Sequence, residues 1–138
     1  MFELEWLEVD VRDEANILLA AGIGVLSNEQ GDDGTIEPIS TMIEDLRYAI
    51  RVGGFVKIAM IGRRPVSLVV FQESELAVWT LHSEDAADID EAALLHALSL
   101  VDVPRLSIYP ISDDQRISLY RMGFKDGDNV LGELILER

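Results

Sequence analysis

Three β-rich runs lie close together between residues 55 and 82, and they constrain the fold more than any other feature. The runs are FVKIAMIG, PVSLVVFQ and LAVWTLH, and the segments between them, GRR and ESE, have the length of turns. Parallel neighbours would need a crossover of about a dozen residues or more between them. The three runs are therefore predicted to form an antiparallel meander, with Arg63 and Arg64 exposed at the tip of its first hairpin.

Helical patterns flank this meander on both sides. An apolar segment over about 12–28 predicts a helix, and NEQGDDG at 28–34 predicts a turn or mobile loop. Further helices are predicted by capping boxes, in which two side chains three residues apart satisfy free backbone amides. Thr41 with Glu44 opens a helix over 42–52, which ends at Gly53–Gly54. Asp88 with Glu91 opens a helix that runs through about 101, and Ser112 with Gln115 opens one over 113–122.

Short strands complete the pattern at 2–10, 105–111 and 129–137. In the first of them Phe2, Leu4 and Val9 supply the apolar side together with either Trp6 or Leu7. The resulting order is β-α-α-β-β-β-α-β-α-β. This order predicts an α/β (α+β) fold, a single domain over 1–138 with a mixed, mainly antiparallel sheet flanked by helices.

Charge and composition exclude several classes of function. The formal net charge is −15, so phosphate backbones are repelled and nucleic acid is not an expected partner. The chain has no cysteine for a disulfide, a thiolate nucleophile or a zinc site, and His82 and His96 are too far apart for a compact ligand pair. The acids of 85–91 lack the glycine and distal glutamate of an EF-hand, so no metal is expected.

The same features indicate the environment of the protein. No apolar run reaches the roughly 18 residues of a membrane span, and the start, MFELEWLEVD, carries carboxylates where a signal peptide carries positive charge. We expect a cytoplasmic or virion-associated protein without membrane contact. Its acidic surface is explained either by solubility or by binding to a basic protein partner. Assembly into a homo-oligomer is a further open alternative.

The last predicted helix ends in ISLYRMGF at 117–124. Its glycine permits the left-handed residue that turns the chain into the next strand. Together with the element order, this ending resembles the GNAT superfamily of N-acetyltransferases. The residues that match the family pattern are Leu119, Tyr120, Gly123 and Phe124, while Asp113 and Arg116 stand in place of its Asn and Ala. The resemblance implies that Tyr120 is the general acid that protonates the departing coenzyme A thiolate.

The resemblance also implies a coenzyme A site between the third meander strand and the next helix. LHSEDAADIDEAALL at 81–95 keeps the family's length, with Leu81 and Leu94–Leu95 at matching positions. The implied cofactor-binding residues are Leu81, His82 and Ser83. No general base for the amine acceptor stands out in the sequence, although Glu73 and Glu75 lie near the relevant strand.

The phosphate-binding part of this segment departs from the family pattern. The glycines of the family pattern let backbone amides approach a pyrophosphate, but in this chain Ala87, Ile89 and Glu91 occupy the glycine positions. Nearby carboxylates repel phosphate by on the order of 1 kcal/mol each at about 4 Å even in water. Asp88 is also predicted to cap the helix and occupy the amides that a pyrophosphate needs.

Two functions follow from these features. We expect a degenerate, non-catalytic GNAT relative that acts through protein–protein binding, as a virion component, an inhibitor or a regulatory subunit. The alternative is an acetyl-CoA-dependent N-acetyltransferase that acts on an amine with Tyr120 as its general acid.

Overall fold

The computed structural model describes residues 3–29 and 39–138. The elements in chain order are β1 (Glu5–Glu8), α1 (Glu14–Glu29), α2 (Ile39–Arg51), β2 (Phe55–Ile61), β3 (Arg64–Gln72), β4 (Glu75–Thr80), α3 (Ala86–Leu100), β5 (Arg105–Ile108), α4 (Asp113–Arg121), β6 (Lys125–Asp126) and β7 (Leu134–Glu137). Phe2 lies outside the described residues, as does most of the loop predicted over 28–34, whose residues 28 and 29 belong to α1.

The strands form one sheet in the order β1-β2-β3-β4-β5-β7-β6. The central three strands, β2 to β4, are the predicted antiparallel meander, and β1 extends it along the free edge of β2. Among the described strands, β4 and β5 make the parallel pair, with α3 as the crossover between them. The predicted fold class, a mixed and mainly antiparallel sheet flanked by helices, is confirmed.

Helices cover both faces of the sheet. On one face α1 and α2 pack through Ile17 and Leu46 against the strand residues Ile58 and Leu68. On the other face α3 and α4 pack over a second cluster that includes Leu119. In β1, Trp6 faces the α3 side whereas Leu7 faces α1 and α2. Both residues are therefore apolar contacts, one on each face, because both faces of this sheet are covered.

The two hairpin turns of the meander are built differently. Gly62, with φ +61°, and Arg63 connect β2 to β3, and Arg63 and Arg64 are exposed as predicted. Between β3 and β4 the turn consists of Glu73 and Ser74, which have φ of +48° and +71° without being glycines. Left-handed conformations cost side-chain-bearing residues about 1 kcal/mol or more each, so the surrounding strands must hold this turn in place.

Two of the predicted capping boxes are wrong. Helix α2 begins at Ile39, which places Thr41 and Glu44 inside the helix instead of at its start. Helix α3 begins at Ala86, its N-cap is Asp85, and no side chain makes the capping hydrogen bond. Asp88 lies in the first turn, where the helix dipole favours a carboxylate without any need for a cap.

The third box is largely confirmed. The Ser112 hydroxyl accepts a hydrogen bond from the Gln115 amide at 3.1 Å and caps α4. The Gln115 side chain reaches one residue further back than expected and accepts from the Ile111 amide at 3.0 Å. The other end of α4 forms the predicted left-handed turn at Gly123, with φ +102°, and both Leu119 and Phe124 are buried.

The later strands are shorter than predicted. β5 ends at Ile108 instead of 111, and its pairing with β4 ends at the same residue. The strand predicted over 129–137 begins only at Leu134, and β6 was not predicted. The Asn129 side chain accepts hydrogen bonds from the amides of Leu131 and Glu133, which holds this segment as a loop.

Gly54 shows how tightly α2 is joined to the sheet. A Cβ at this position would lie 1.8 Å from the backbone oxygen of Phe71, so no other residue fits without moving β3. The preceding Gly53, with φ +88°, ends the helix as predicted. No helix in the described ranges is long and apolar enough to cross a membrane.

Candidate functional site

The pairing between the parallel strands β4 and β5 covers only the first two residues of β4. They pair at Glu75 with Ser107 and at Leu76 with Ile108. Beyond these pairs, residues 77–80 of β4 pair with β3 alone, while the chain after β5 continues as irregular structure. The carboxyl half of β4 therefore has no strand on this side, and open α/β sheets bind ligands beyond the carboxyl ends of such strands.

A cavity of about 630 Å³ lies beside this part of β4, on the face covered by α1 and α2. Side chains alternate along β4, so Glu75, Ala77 and Trp79 all face this cavity. Helix α2 contributes Met42 and Asp45. The walls therefore combine apolar and polar side chains in about equal parts, and the polar ones include carboxylates.

A second cavity of about 290 Å³ lies on the opposite face, between α3 and α4. Thr80 of β4, His82 and Ala86 contribute to its lining. Ser27, Ile111 and Ser112 line both cavities. The two cavities therefore adjoin each other, and together they form a cleft that extends from the α2 side of the sheet to the N-terminus of α3.

Polar side chains joined by hydrogen bonds line part of the second cavity. Asp90 accepts a hydrogen bond from the Thr80 hydroxyl at 2.7 Å, and the Gln115 amide nitrogen lies 3.2 Å from each of its carboxylate oxygens. The Gln115 nitrogen also donates to the Val78 carbonyl at 3.0 Å, and the Ser67 hydroxyl lies 3.1 Å from that of Thr80. Burial raises the pKa of Asp90 above its ordinary value, although both hydrogen bonds act in the opposite direction.

The predicted cofactor residues take different positions around the cleft. His82 lines the second cavity. Leu81 packs against the α1 and α2 core, and the Ser83 carbonyl accepts the Ala86 amide at 3.2 Å in the turn before α3. Since no side chain in the described ranges caps this helix, the amides of Ala87 and Asp88 in its first turn have no partner within the helix.

Acidic side chains surround the same helix end. Glu84, Asp85 and Asp88 are all exposed there, and Asp114 of α4 lines the second cavity together with Asp90. The open backbone amides therefore attract an anion, whereas the carboxylates repel it.

Tyr120 lies on α4 with 43% of its surface exposed. Its hydroxyl donates a hydrogen bond to Asp126 and lies 3.4 Å from the Arg116 guanidinium. Tyr120 is absent from the lining of both cavities, although its neighbour Arg116 lines the larger one. Tyr109, just after β5, does line the larger cavity, and its hydroxyl accepts from the Asn129 amide at 3.0 Å.

The two candidate bases are separated by the β3–β4 turn. Glu75 is half-buried and lines the larger cavity. Glu73 is exposed and accepts a hydrogen bond from Tyr48 at 2.9 Å, and this bond, with the nearby negative charge, raises the pKa of Tyr48. Of the two glutamates, only Glu75 contributes to the cleft.

Sequence reasoning missed several of the cavity residues, chiefly Asp45, Gln72 and Tyr109. Tyr109 could have been found, because it follows the carboxyl end of a predicted strand, where ligand-binding residues collect. Asp45 and Gln72 carry no comparable signal. Within the described residues no group of histidines and acids could hold a metal ion.

Comparison with solved structures identifies the fold. A GCN5-related N-acetyltransferase structure from Rhodopseudomonas palustris is 15% identical, with a TM-score of 0.66 over 100% of this chain and 98% of that one. A PaiA N-acetyltransferase from Thermoplasma acidophilum, in complex with coenzyme A, is 14% identical, with a TM-score of 0.70 over 99% of each chain. YncA of Salmonella typhimurium, a putative acetyltransferase with acetyl-CoA, is 8% identical, with a TM-score of 0.66 over 97% and 93%.

These structures share the fold with this chain over nearly its whole length. The chain has the GNAT fold, as its element order and its ISLYRMGF segment predicted. No family model and no curated protein matches the sequence. The expectation of a non-catalytic relative that acts through protein binding gains no support from these comparisons.

Proposed function

We propose that this protein is an acetyl-CoA-dependent N-acetyltransferase that uses the cleft between β4 and β5. The observation that carries the proposal is this cleft, in which the cavity beside α2 adjoins the cavity that reaches the start of α3. Two structures of similar fold hold coenzyme A or its acetyl form, which supports a thioester ligand for this cleft as well.

The residues present fit coenzyme A better at its acyl end than at its phosphate end. The cleft beside the carboxyl half of β4 suits a narrow, uncharged arm, and the open α3 amides suit a phosphate. The cap by Asp88, which argued against phosphate binding, is not formed. The exposed carboxylates of Glu84, Asp85 and Asp88 remain, so we expect them to weaken phosphate binding without blocking it.

The bound thioester would supply an activated acetyl group. Glu75, facing the larger cavity, is the residue placed to accept a proton from an acceptor amine there. A phenol is suited to return a proton to the departing thiolate, and two are candidates. Tyr120 remains the candidate from the family pattern, and Tyr109 is the tyrosine that lines the cavity.

The first test is binding of acetyl-CoA measured by calorimetry at increasing salt. The Debye length falls from about 10 Å at 0.1 M to about 3 Å at 1 M salt, so the repulsion by the acids is screened. We therefore expect acetyl-CoA to bind more tightly in 1 M KCl than in 0.1 M. The triple variant Glu84→Gln, Asp85→Asn, Asp88→Asn should bind more tightly at low salt and lose most of this salt dependence. Absence of binding by both proteins at every salt concentration would contradict the proposal.

The second test is transfer of acetyl groups to a panel of amines, followed by thiol release. Glu75→Gln should lower kcat by about a hundredfold or more, in the range of general-base catalysis. Glu73→Gln is the matched control, since Glu73 lies outside the cleft, and it should keep normal turnover. Comparing Tyr109→Phe with Tyr120→Phe identifies the acid. Equal activity of Glu75→Gln and Glu73→Gln would rule out Glu75 as the base.

A further inference from the structure

The larger cavity offers a ligand more acceptors than donors. Its carboxylates are Asp45 from α2, Glu75 from β4 and Asp113 from α4. In addition, the Gln72 amide oxygen is buried and has no hydrogen-bond partner among the described residues, and Gln72 lines the same cavity. A buried acceptor that lacks a donor is unfavourable, so a ligand that brings N–H groups to this side of the cavity suits it.

The cation that lines the cavity is already engaged. Arg116 donates to the Gly132 carbonyl at 3.1 Å, and its other guanidinium nitrogen lies 3.9 Å from Asp126 and 3.4 Å from the Tyr120 hydroxyl. Its hydrogen bonds are thus directed toward the β6–β7 loop and the end of α4. The carboxylates of the cavity therefore favour a positively charged ligand.

The apolar walls of the cavity suit the stem of such a ligand. Met42, Leu46, Val70 and Trp79 lie between the acidic positions. A chain of methylene groups that ends in an ammonium group would bury its stem on these residues and bring its charge to Glu75.

An exposed apolar tip stands beside this cavity. Val130 and Leu131 are 100% and 75% exposed, more than any other large hydrophobic residue in the described ranges. Their loop is nonetheless held in place, since Asn129 binds the amide of Leu131 and the hydroxyl of Tyr109, and Gly132 binds Arg116. Tyr109 and Arg116 both line the cavity, so the tip is anchored to its rim.

We propose that the acceptor of this cleft is a lysine side chain of a peptide with apolar residues next to the lysine. The ammonium group enters the acidic cavity, and the neighbouring apolar side chain packs on Val130 and Leu131. This inference rests on the proposed acetyltransferase function, because it names the substrate of that same cleft. A small polyamine would satisfy the cavity but would leave the apolar tip without a contact.

The test uses calorimetry on the full chain with blocked tripeptides and no cofactor. The probes are Leu-Leu-Lys, Leu-Leu-Gln and Ser-Ser-Lys, each acetylated and amidated, together with spermidine. We expect Leu-Leu-Lys to bind at least about tenfold more tightly than the other three, because each lacks either a charge-assisted hydrogen bond or an apolar contact.

Protein variants separate the two parts of the inference. Glu75→Gln should weaken both lysine peptides, whereas Val130→Ser with Leu131→Ser should weaken Leu-Leu-Lys and leave spermidine unchanged. The matched control is Leu18→Ser with Leu95→Ser, which alters exposed leucines on α1 and α3 and should leave binding unaffected.

Each probe can overturn the inference. If Leu-Leu-Gln binds as tightly as Leu-Leu-Lys, the lysine charge has no role, and if Ser-Ser-Lys does so, the Val130–Leu131 tip has no role. If spermidine binds as tightly as Leu-Leu-Lys, the ligand need not be a peptide. No binding of Leu-Leu-Lys would overturn the inference as a whole. Acetyl-CoA binding is measured separately, so its failure beside intact peptide binding would reject the acetyltransferase function alone.

Discussion

Asp90 shows how a single side chain links the elements around the cleft. It belongs to α3, yet its carboxylate binds Thr80 of β4 and Gln115 of α4. Burial makes ionisation unfavourable and raises the pKa, while the two hydrogen bonds compensate in part. Because the folded protein holds the proton more tightly than the unfolded chain, the contribution of Asp90 to stability falls as the pH rises from the ordinary value of 3.8 through the folded pKa.

Thr80→Val should raise the pKa of Asp90 further. The substitution removes the hydroxyl that donates to the carboxylate and keeps a side chain of similar shape. The pKa is measured by NMR titration of the Asp90 carboxyl carbon, and the fall in stability with rising pH should extend to a higher pH in the variant. Ser67→Ala is the control, since it leaves the Thr80–Asp90 bond in place and should have a smaller effect. A lower pKa in Thr80→Val would show that this bond does not support the carboxylate.

At the scale of elements, the two hairpin turns of the meander differ in backbone conformation. The β2–β3 turn has a glycine in its left-handed position and exposed arginines beside it. The β3–β4 turn places Glu73 and Ser74 in left-handed conformations next to Glu75, which lines the larger cavity. Backbone strain of this kind concentrates at functional sites, and here it lies beside the proposed base.

The double substitution Arg63→Glu with Arg64→Glu should leave the fold intact. Exposed turn charges away from any buried contact change the free energy of unfolding by about 0.5 kcal/mol or less, and neither arginine lines the cleft. Urea denaturation of the variant and the parent protein measures the difference. A loss of several kcal/mol would mean that these side chains make contacts which their exposure does not indicate.

At the scale of the whole molecule, charge is the main feature. A formal net charge of −15 on 138 residues produces self-repulsion in the compact state. Much of this charge is exposed, and ion pairing offsets little of it, since Arg116 with Asp126, at 3.9 Å, is the salt bridge found within the described ranges. Long-range repulsion between exposed charges is strongly reduced by salt.

Added KCl should therefore raise the Tm of the protein. Repulsion between carboxylates is screened as the Debye length falls from about 10 Å at 0.1 M to about 3 Å at 1 M. Thermal unfolding at pH 7 across this range measures the effect, and sucrose at matched osmolality controls for general exclusion from the surface. Near the sequence pI of about 4.3 the rise should largely disappear. A Tm that does not change with salt at pH 7 would show that self-repulsion is negligible.

Local patterns predicted most of the fold, because they depend on neighbouring residues. The meander over 55–82 followed from β-rich runs and turn-length gaps, and the end of α4 followed from Gly123, which has the required positive φ. Helix starts were less predictable. The 86–91 segment offers several acids that could cap α3, and the chain begins this helix at Ala86, three residues before the predicted start.

The candidate site could be predicted only in part. Glu75 was noted for its nearness to the relevant strand and His82 was implied by the family resemblance, and both line the cleft. Tyr120, also implied by the resemblance, lies outside the lining of both cavities. Asp90 was counted as one of several acids, and nothing in its sequence neighbourhood indicates that it turns inward to Gln115, 25 positions away.

Apart from the short strand β6, the sequence alone thus determined the order of strands and helices, the two-sided core and the acidic surface, since each depends on side-chain types and short-range periodicity. The tertiary structure decided where the pairing between β4 and β5 ends, which carboxylates line the larger cavity and that the start of α3 stays uncapped. These features arise from contacts between residues far apart in the chain, and their geometry depends on how whole elements pack together.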